Sequence, residues 1–83
     1  MGATVAVFGG TGFLGRRIVR QLAAAGWQVR AVARRPVVPE GAEPERVEAR
    51  AADIRDDAQV AAVLEGAQAA VNAVSLYVER SEE

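Results

Sequence analysis

The sequence predicts an α/β protein: a parallel sheet of about four strands in the order 3-2-1-4, one half of a doubly wound fold. Three observations lead there. Short runs rich in valine and alanine alternate with amphipathic or acid-started segments, as strand and helix alternate in βαβ units. Glycines stand where helices should stop. The chain has 83 residues, room for one small domain over residues 1–83.

Each element has its own reason. Residues 4–8, TVAVF, are a continuous apolar run ending at Gly9 and Gly10, which is how a strand buried on both faces reads. From Gly12 the period lengthens. Leu14, Ile18 and Leu22 recur at i, i+4 and i+8 with Val19 beside them, while Arg16, Arg17, Arg20 and Gln21 fall elsewhere. This predicts a helix with Leu14, Ile18 and Leu22 inward, stopped by Gly26. WQVRAVA, 27–33, is a second strand. Pro36, Pro39 and Pro44 then predict a long connection with at most one helical turn, because proline removes a donor and disfavours helix before it.

RVEARAA, 46–52, sets Val47, Ala49 and Ala51 against charged neighbours, as in a half-exposed third strand. Asp56 and Asp57 open a helix to about Glu65, acids at the positive end of its dipole, with Val60, Val63 and Leu64 inward and Gly66 as the stop. AAVNAVSL, 69–76, is a fourth strand, and YVERSEE, 77–83, a polar tail. Strand four lies at an edge in this order, and an apolar edge invites pairing. The expected cover is a missing C-terminal half, a second copy of the chain, or a larger complex.

Composition narrows the chemistry. An apolar content of 51% with 25% charged residues is that of a globular chain. The net charge of −1 offers no field to recruit nucleic acid or an anionic membrane surface. All ten basic residues are arginines, and histidine and cysteine are absent. Imidazole bases, thiolate metal sites, Schiff-base lysines and a P-loop lysine are thereby excluded from this chain. The first residues lack the basic segment of a leader, and no apolar run nears the roughly 20 residues a membrane span needs. A cytoplasmic location is expected.

The motif that carries function is VFGGTGFLGRR. Gly9, Gly12 and Gly15 fit G-x-x-G-x-x-G, and Gly10, Gly12 and Gly15 fit G-x-G-x-x-G. One glycine permits the strand-to-helix turn, another lets a pyrophosphate approach the backbone, and the last lets the helix pack on the strand. The free N–H groups of the helix start then face the phosphates. A strand before it and a helix after it supply the context the motif requires.

Which dinucleotide binds is read at the end of strand two. A carboxylate there, about 20 residues on, holds the ribose 2′-OH of NAD. Here Arg34 and Arg35 stand in that place, and guanidinium groups match a 2′-phosphate. Arg16 could assist from the first helical turn. These residues favour NADP(H) over NAD(H); the competing reading is a solvated basic turn. Asp53, with Ile54, follows strand three, where a carboxylate accepts from the adenine amino group; Asp53 is equally suited to cap the next helix. Asn72 and Ala73, with Val74 and Ser75, end strand four, where the nicotinamide ribose would pass, though Asn72 could serve only local backbone groups.

VFGGTGFLGRRIVRQLAAAGWQVRAVARRP, AADIRD and AAVNAVSL together resemble the N-terminal half of an extended or atypical short-chain dehydrogenase/reductase of the NAD-dependent epimerase/dehydratase type. Within that group the sequence is most similar to the reductase-like accessory subunit of respiratory complex I and its bacterial relatives. That narrower likeness would allow a peripheral place on the inner membrane. The resemblance implies a Rossmann fold with Gly9, Gly12 and Gly15 in the phosphate loop and Phe13 and Leu14 over it. It puts Arg34 and Arg35 at the adenosine end, and Asp53 with Ile54 at the adenine. Phe8 departs from the threonine often found before the first glycine.

The family's catalytic tyrosine and lysine, four residues apart, cannot come from this chain, because it has no lysine; Tyr77 in YVER only mimics the look of the pair. The expectation is therefore an NAD(P)(H)-binding module that prefers NADP(H), without catalytic residues of its own. The alternative is a structural or interaction half-domain that binds nucleotide weakly or not at all.

Overall fold

The computed structural model describes residues 3–9, 12–42 and 45–73. Six elements follow in the order β1 (Thr4–Phe8), α1 (Phe13–Ala24), β2 (Gln28–Ala33), β3 (Val47–Ala51), α2 (Asp57–Leu64) and β4 (Ala69–Asn72). The four strands form one parallel sheet in the order β3-β2-β1-β4. This is the expected half of a doubly wound fold. The first two strands are in register from Thr4 opposite Gln28 to Phe8 opposite Val32, and Phe8 also lies opposite Asn72.

The two-residue period of the strands divides the core into two layers. Val5, Val7, Val29, Ala31 and Val47 face Val19 and Ala23 of α1, with Ile18, Leu22, Trp27 and Ala42 packed around them. Ala6, Phe8, Val32 and Ala52 face Val63 of α2, flanked by Val60 and Leu64. The continuous apolar run in β1 is thus explained, since both sides of the sheet are covered, while β2 interrupts its apolar positions with Arg30.

The helices differ from expectation in one respect. The buried line of α1 is Gly15, Val19 and Ala23, while Leu14 is exposed and Ile18 and Leu22 are only half-buried. Small residues on that line let the helix approach the sheet closely, which turns the leucines to its flank. The residues of α2 point as expected. β4 ends at Asn72 and Ala73 has left the strand, while residues 74–76 of the expected strand lie outside the described residues. Gly10, Pro44, the tail at 77–83 and Tyr77 lie outside the described residues.

Glycines stop both helices: Gly26 has φ 104° and Gly66 has φ 80°, conformations that residues with a side chain rarely adopt. Neither helix carries a basic residue in its last turn. The sheet side supplies the cations. Arg30 of β2 donates through Nη1 to the carbonyls of Val63 (2.7 Å) and Glu65 (2.6 Å) at the end of α2. Arg46, just before β3, donates to Ala23 at the end of α1 (3.4 Å). Both arginines bring positive charge to the negative pole of a helix dipole.

Between β2 and β3 the chain forms no helix among the described residues, as its prolines predict. Ala42 of this connection packs into the α1 layer, so the connection runs on the same side of the sheet as α1.

Candidate functional site

In a parallel sheet the carboxyl ends of all strands lie along one edge, and ligands of open α/β sheets bind in the crevice outside it. Gly9 follows β1, Arg34 and Arg35 follow β2, Asp53 and Ile54 come shortly after β3, and Ala73 follows β4. The topology therefore brings the expected site residues to one edge, with the start of α1 above β1.

The turn from β1 is held by the backbone. Gly9 has φ 82° and donates its N–H to the carbonyl of Val32 at 2.9 Å, tying the loop to the end of β2. Gly12 donates to the carbonyl of Gly9 at 3.1 Å and in turn accepts from Arg16 at 2.9 Å, the first ladder bond of α1. The N–H groups of Phe13, Leu14 and Gly15 precede that ladder, as at any helix start. No side chain caps this terminus, and no acidic residue lies in its first turn. The positive end of the dipole is left open to an anion.

Gly12 is informative because nothing in the described structure demands a glycine there. Its φ of −75° and ψ of 173° suit any residue. A Cβ built on it would meet the Gly9 carbonyl oxygen at 3.5 Å, an ordinary contact, in a position exposed to solvent. Among the described residues nothing else comes within contact distance of that Cβ. A bare backbone here fits close approach of a phosphate group such as that of a dinucleotide. Gly15, by contrast, is buried against the sheet. Phe13 (74% exposed) and Leu14 (42%) offer large apolar surface beside the loop.

The residues expected at the adenosine end lie in two places. Arg34 and Arg35 are exposed at the bend after β2. Arg16 lines an open cleft of about 410 Å³ with Val37, Val38, Pro39 and Glu40, so the proline-rich connection folds back beside the start of α1. Glu40 is a residue that sequence reasoning missed. The stretch around Arg34 and Arg35 contains no carboxylate, but this fold-back sets Glu40 in the same cleft as Arg16. Five residues of sequence separation gave no signal of it.

Asp53 does not cap α2. Asp56 does, accepting from the N–H groups of Ala58 (3.0 Å) and Gln59 (3.2 Å) through Oδ1. The Asp53 carboxylate is held instead by Arg55. Oδ1 accepts from the Arg55 backbone N–H (2.9 Å) and from Nε (3.2 Å), and Oδ2 accepts from Nη2 (3.1 Å). The Arg55 side-chain bonds, then its backbone N–H, lower the Asp53 pKa from 3.8 to about 2, with smaller help from the charges of Arg55 and Arg34. Arg34 is thus near enough to feel Asp53 across the β2–β3 boundary.

Gln59 closes the turn. Its Oε1 accepts from the Asp53 N–H (2.9 Å) while its Nε2 donates to Asp56 Oδ2 (3.0 Å). Ile54 is exposed at the tip of this turn. Among the described residues, its N–H enters no hydrogen bond. On the far side of β1, Asn72 is exposed at the end of β4 and Ala73 is buried. Among the described residues no cluster of three potential metal ligands occurs, and no helix is long and apolar enough to cross a membrane.

No curated protein matches the sequence. The sequence model described as the NAD dependent epimerase/dehydratase family matches residues 5–83, nearly the whole chain. With that match and a Rossmann-like parallel sheet, the chain belongs to the NAD dependent epimerase/dehydratase family, whose members bind NAD(P) cofactors.

Proposed function

We propose that residues 1–83 are an NAD(P)(H)-binding module in which Gly9, Gly12 and Gly15, with the start of α1, cradle the pyrophosphate, and that NADP(H) is the preferred cofactor. Gly12 carries the reading: its bare backbone is required neither by conformation nor by packing among the described residues. When bound, the cofactor supplies hydride chemistry at its nicotinamide; this chain's residues bind and orient it.

The preference for NADP(H) is supported by Arg34 and Arg35, exposed at the end of β2, and by Arg16 on the adjoining cleft. Glu40 in that cleft opposes it, and so does the Asp53 carboxylate that feels Arg34, so the preference rests on Arg16, Arg34 and Arg35 outweighing both. Asp53 and Ile54 take the adenine: the carboxylate accepts from the exocyclic amino group, and the Ile54 N–H donates to the ring nitrogen beside it. Asn72 and Ala73 border the nicotinamide ribose, with Phe13 and Leu14 over the phosphate loop.

Catalysis would depend on residues outside this chain, because the sequence contains no lysine to complete a Tyr-x-x-x-Lys pair. Such a module suits a non-catalytic, nucleotide-stabilised protein of the complex I accessory-subunit kind, working in the cytoplasm or peripherally at the inner membrane. A second reading, an interaction half-domain with weak nucleotide binding, is favoured by β4: among the described residues it is an edge strand, with Ala69, Ala70 and Asn72 exposed. That edge fits a C-terminal half, a second copy or a larger complex.

Calorimetric titration with NADPH, NADH and ADP-ribose tests the proposal. NADPH is expected to bind tightest. Equal or tighter NADH binding would overturn the preference, and no binding by any of the three would favour the second reading.

A further inference from the structure

Asp53 is exposed enough to reach a ligand, yet its carboxylate is not free to turn. An ionised carboxylate has about four lone-pair sites. Arg55 fills two on Oδ1, with its backbone N–H and Nε, and one on Oδ2, with Nη2. One acceptor site is left, on Oδ2, and among the described residues no donor occupies it. The backbone beneath is fixed as well: Gln59 holds the Asp53 N–H, the Asp53 carbonyl accepts from the Asp56 N–H at 2.9 Å, and Asp56 anchors both to the start of α2.

This is more order than a solvent-exposed ion pair needs. Exposed pairs contribute little to stability, and Arg55 has 75% of its side chain exposed. What the fork does accomplish is geometric: it turns a freely rotating carboxylate into an acceptor with a single direction, one residue from the unbonded N–H of Ile54.

We propose that Arg55 is a positioning residue that sets base specificity, holding the remaining acceptor site of Asp53 Oδ2 beside the Ile54 N–H so that the pair reads adenine and rejects a 6-oxopurine. The inference rests on the dinucleotide reading above. Adenine presents an amino donor next to a ring-nitrogen acceptor, the complement of Oδ2 and the Ile54 N–H. Hypoxanthine presents an oxo acceptor next to a ring N–H, so both contacts become repulsive. Without Arg55 the carboxylate swings away, and the oxo group no longer meets it.

The test compares NADPH with its deaminated counterpart, nicotinamide hypoxanthine dinucleotide phosphate, on the wild-type chain and on Arg55→Gln. The wild-type chain is expected to prefer the adenine form by roughly tenfold or more, the size of a charged hydrogen bond. Arg55→Gln is expected to cut that ratio to about threefold or less, mainly by losing affinity for NADPH. Loss of affinity for both forms by one common factor would mean that Arg55 is only structural, and would overturn the proposal. So would an unchanged ratio. Failure of the wild-type chain to bind either form would instead overturn the dinucleotide reading itself, and equal wild-type binding of both would remove Asp53 from the base site. Asp53→Asn on the same pair of ligands is expected to lower the ratio as far as Arg55→Gln does; a preserved ratio there would also overturn the proposal.

Discussion

Arg30 reaches from the middle of β2 to the carbonyl of Val63, 33 residues on, with its Nη1 2.7 Å from the oxygen. The same nitrogen donates to Glu65, so one sheet cation closes the carboxyl end of α2. The helix has eight residues, too few to persist without tertiary support, and its own last turn has no basic side chain. Fixing this end of α2 also fixes the other, where the Asp53 turn begins.

Arg30→Met keeps much of the aliphatic stem but removes both bonds. A hydrogen bond to a charged group contributes about 1.5–3 kcal/mol, so a loss of about 2–3 kcal/mol is expected. Urea unfolding followed by circular dichroism should show a lowered midpoint with an unchanged slope. A midpoint equal to that of the wild-type chain would show that solvent replaces these bonds at no net cost.

Gly12→Ala separates folding from binding. The backbone at Gly12 accepts a side chain, and the added Cβ meets only an ordinary contact among the described residues. Alanine is the poorer residue at a helix N-terminus, so a stability loss of up to about 1 kcal/mol is expected. NADPH affinity should fall at least roughly tenfold, about 1.4 kcal/mol, because the methyl group takes the space of the phosphate. Thermal melting with and without NADPH reads both effects. Retained ligand-induced stabilisation would remove Gly12 from the cradle.

Strand order was legible in the sequence because alternating strands and helices leave few topologies, and the element bounds because each rests on a local cause. Valine runs gave β1 and β2, and Gly26 and Gly66 marked where the helices stop. What could not be read depends on the third dimension. The choice of Gly15, Val19 and Ala23 as the buried line of α1 follows from how closely the helix can approach the sheet, which spacing alone does not encode. The roles of Arg30 and Arg46 at helix ends require knowing which carbonyls lie across from them. At the Asp53 turn the sequence left Asp53 between an adenine contact and a cap, and the cap is Asp56 because α2 begins at Asp57.

If Arg34 at the end of β2 and Glu40 in the adjoining cleft flank the 2′-phosphate as proposed, charge there should tune cofactor choice in both directions. Arg34→Ala is expected to weaken NADPH by about 1.5–3 kcal/mol, the size of a charged hydrogen bond, and to leave NADH nearly unchanged. Glu40→Gln should act oppositely, strengthening NADPH relative to NADH, because it removes the carboxylate that shares a cleft with Arg16. Competition titrations with the two cofactors give the ratio directly. Equal losses for both cofactors in Arg34→Ala would assign the arginine a structural role.

The Asp53–Arg55 fork makes a prediction about acid. Arg55 lowers the Asp53 pKa to about 2, below its ordinary 3.8. A depressed folded-state value means that the interaction is fully present above about 3.8 and is lost as the pH falls through about 2. The Asp53 carboxyl carbon, followed by nuclear magnetic resonance, should therefore titrate near 2 in the wild-type chain and move up towards 3.8 in Arg55→Gln. Because Arg34 also lowers the value, Arg34→Ala should raise it by a smaller amount. A wild-type titration near 3.8 would mean that the fork does not persist in solution. The acceptor on Oδ2 would then have no fixed direction to offer a base.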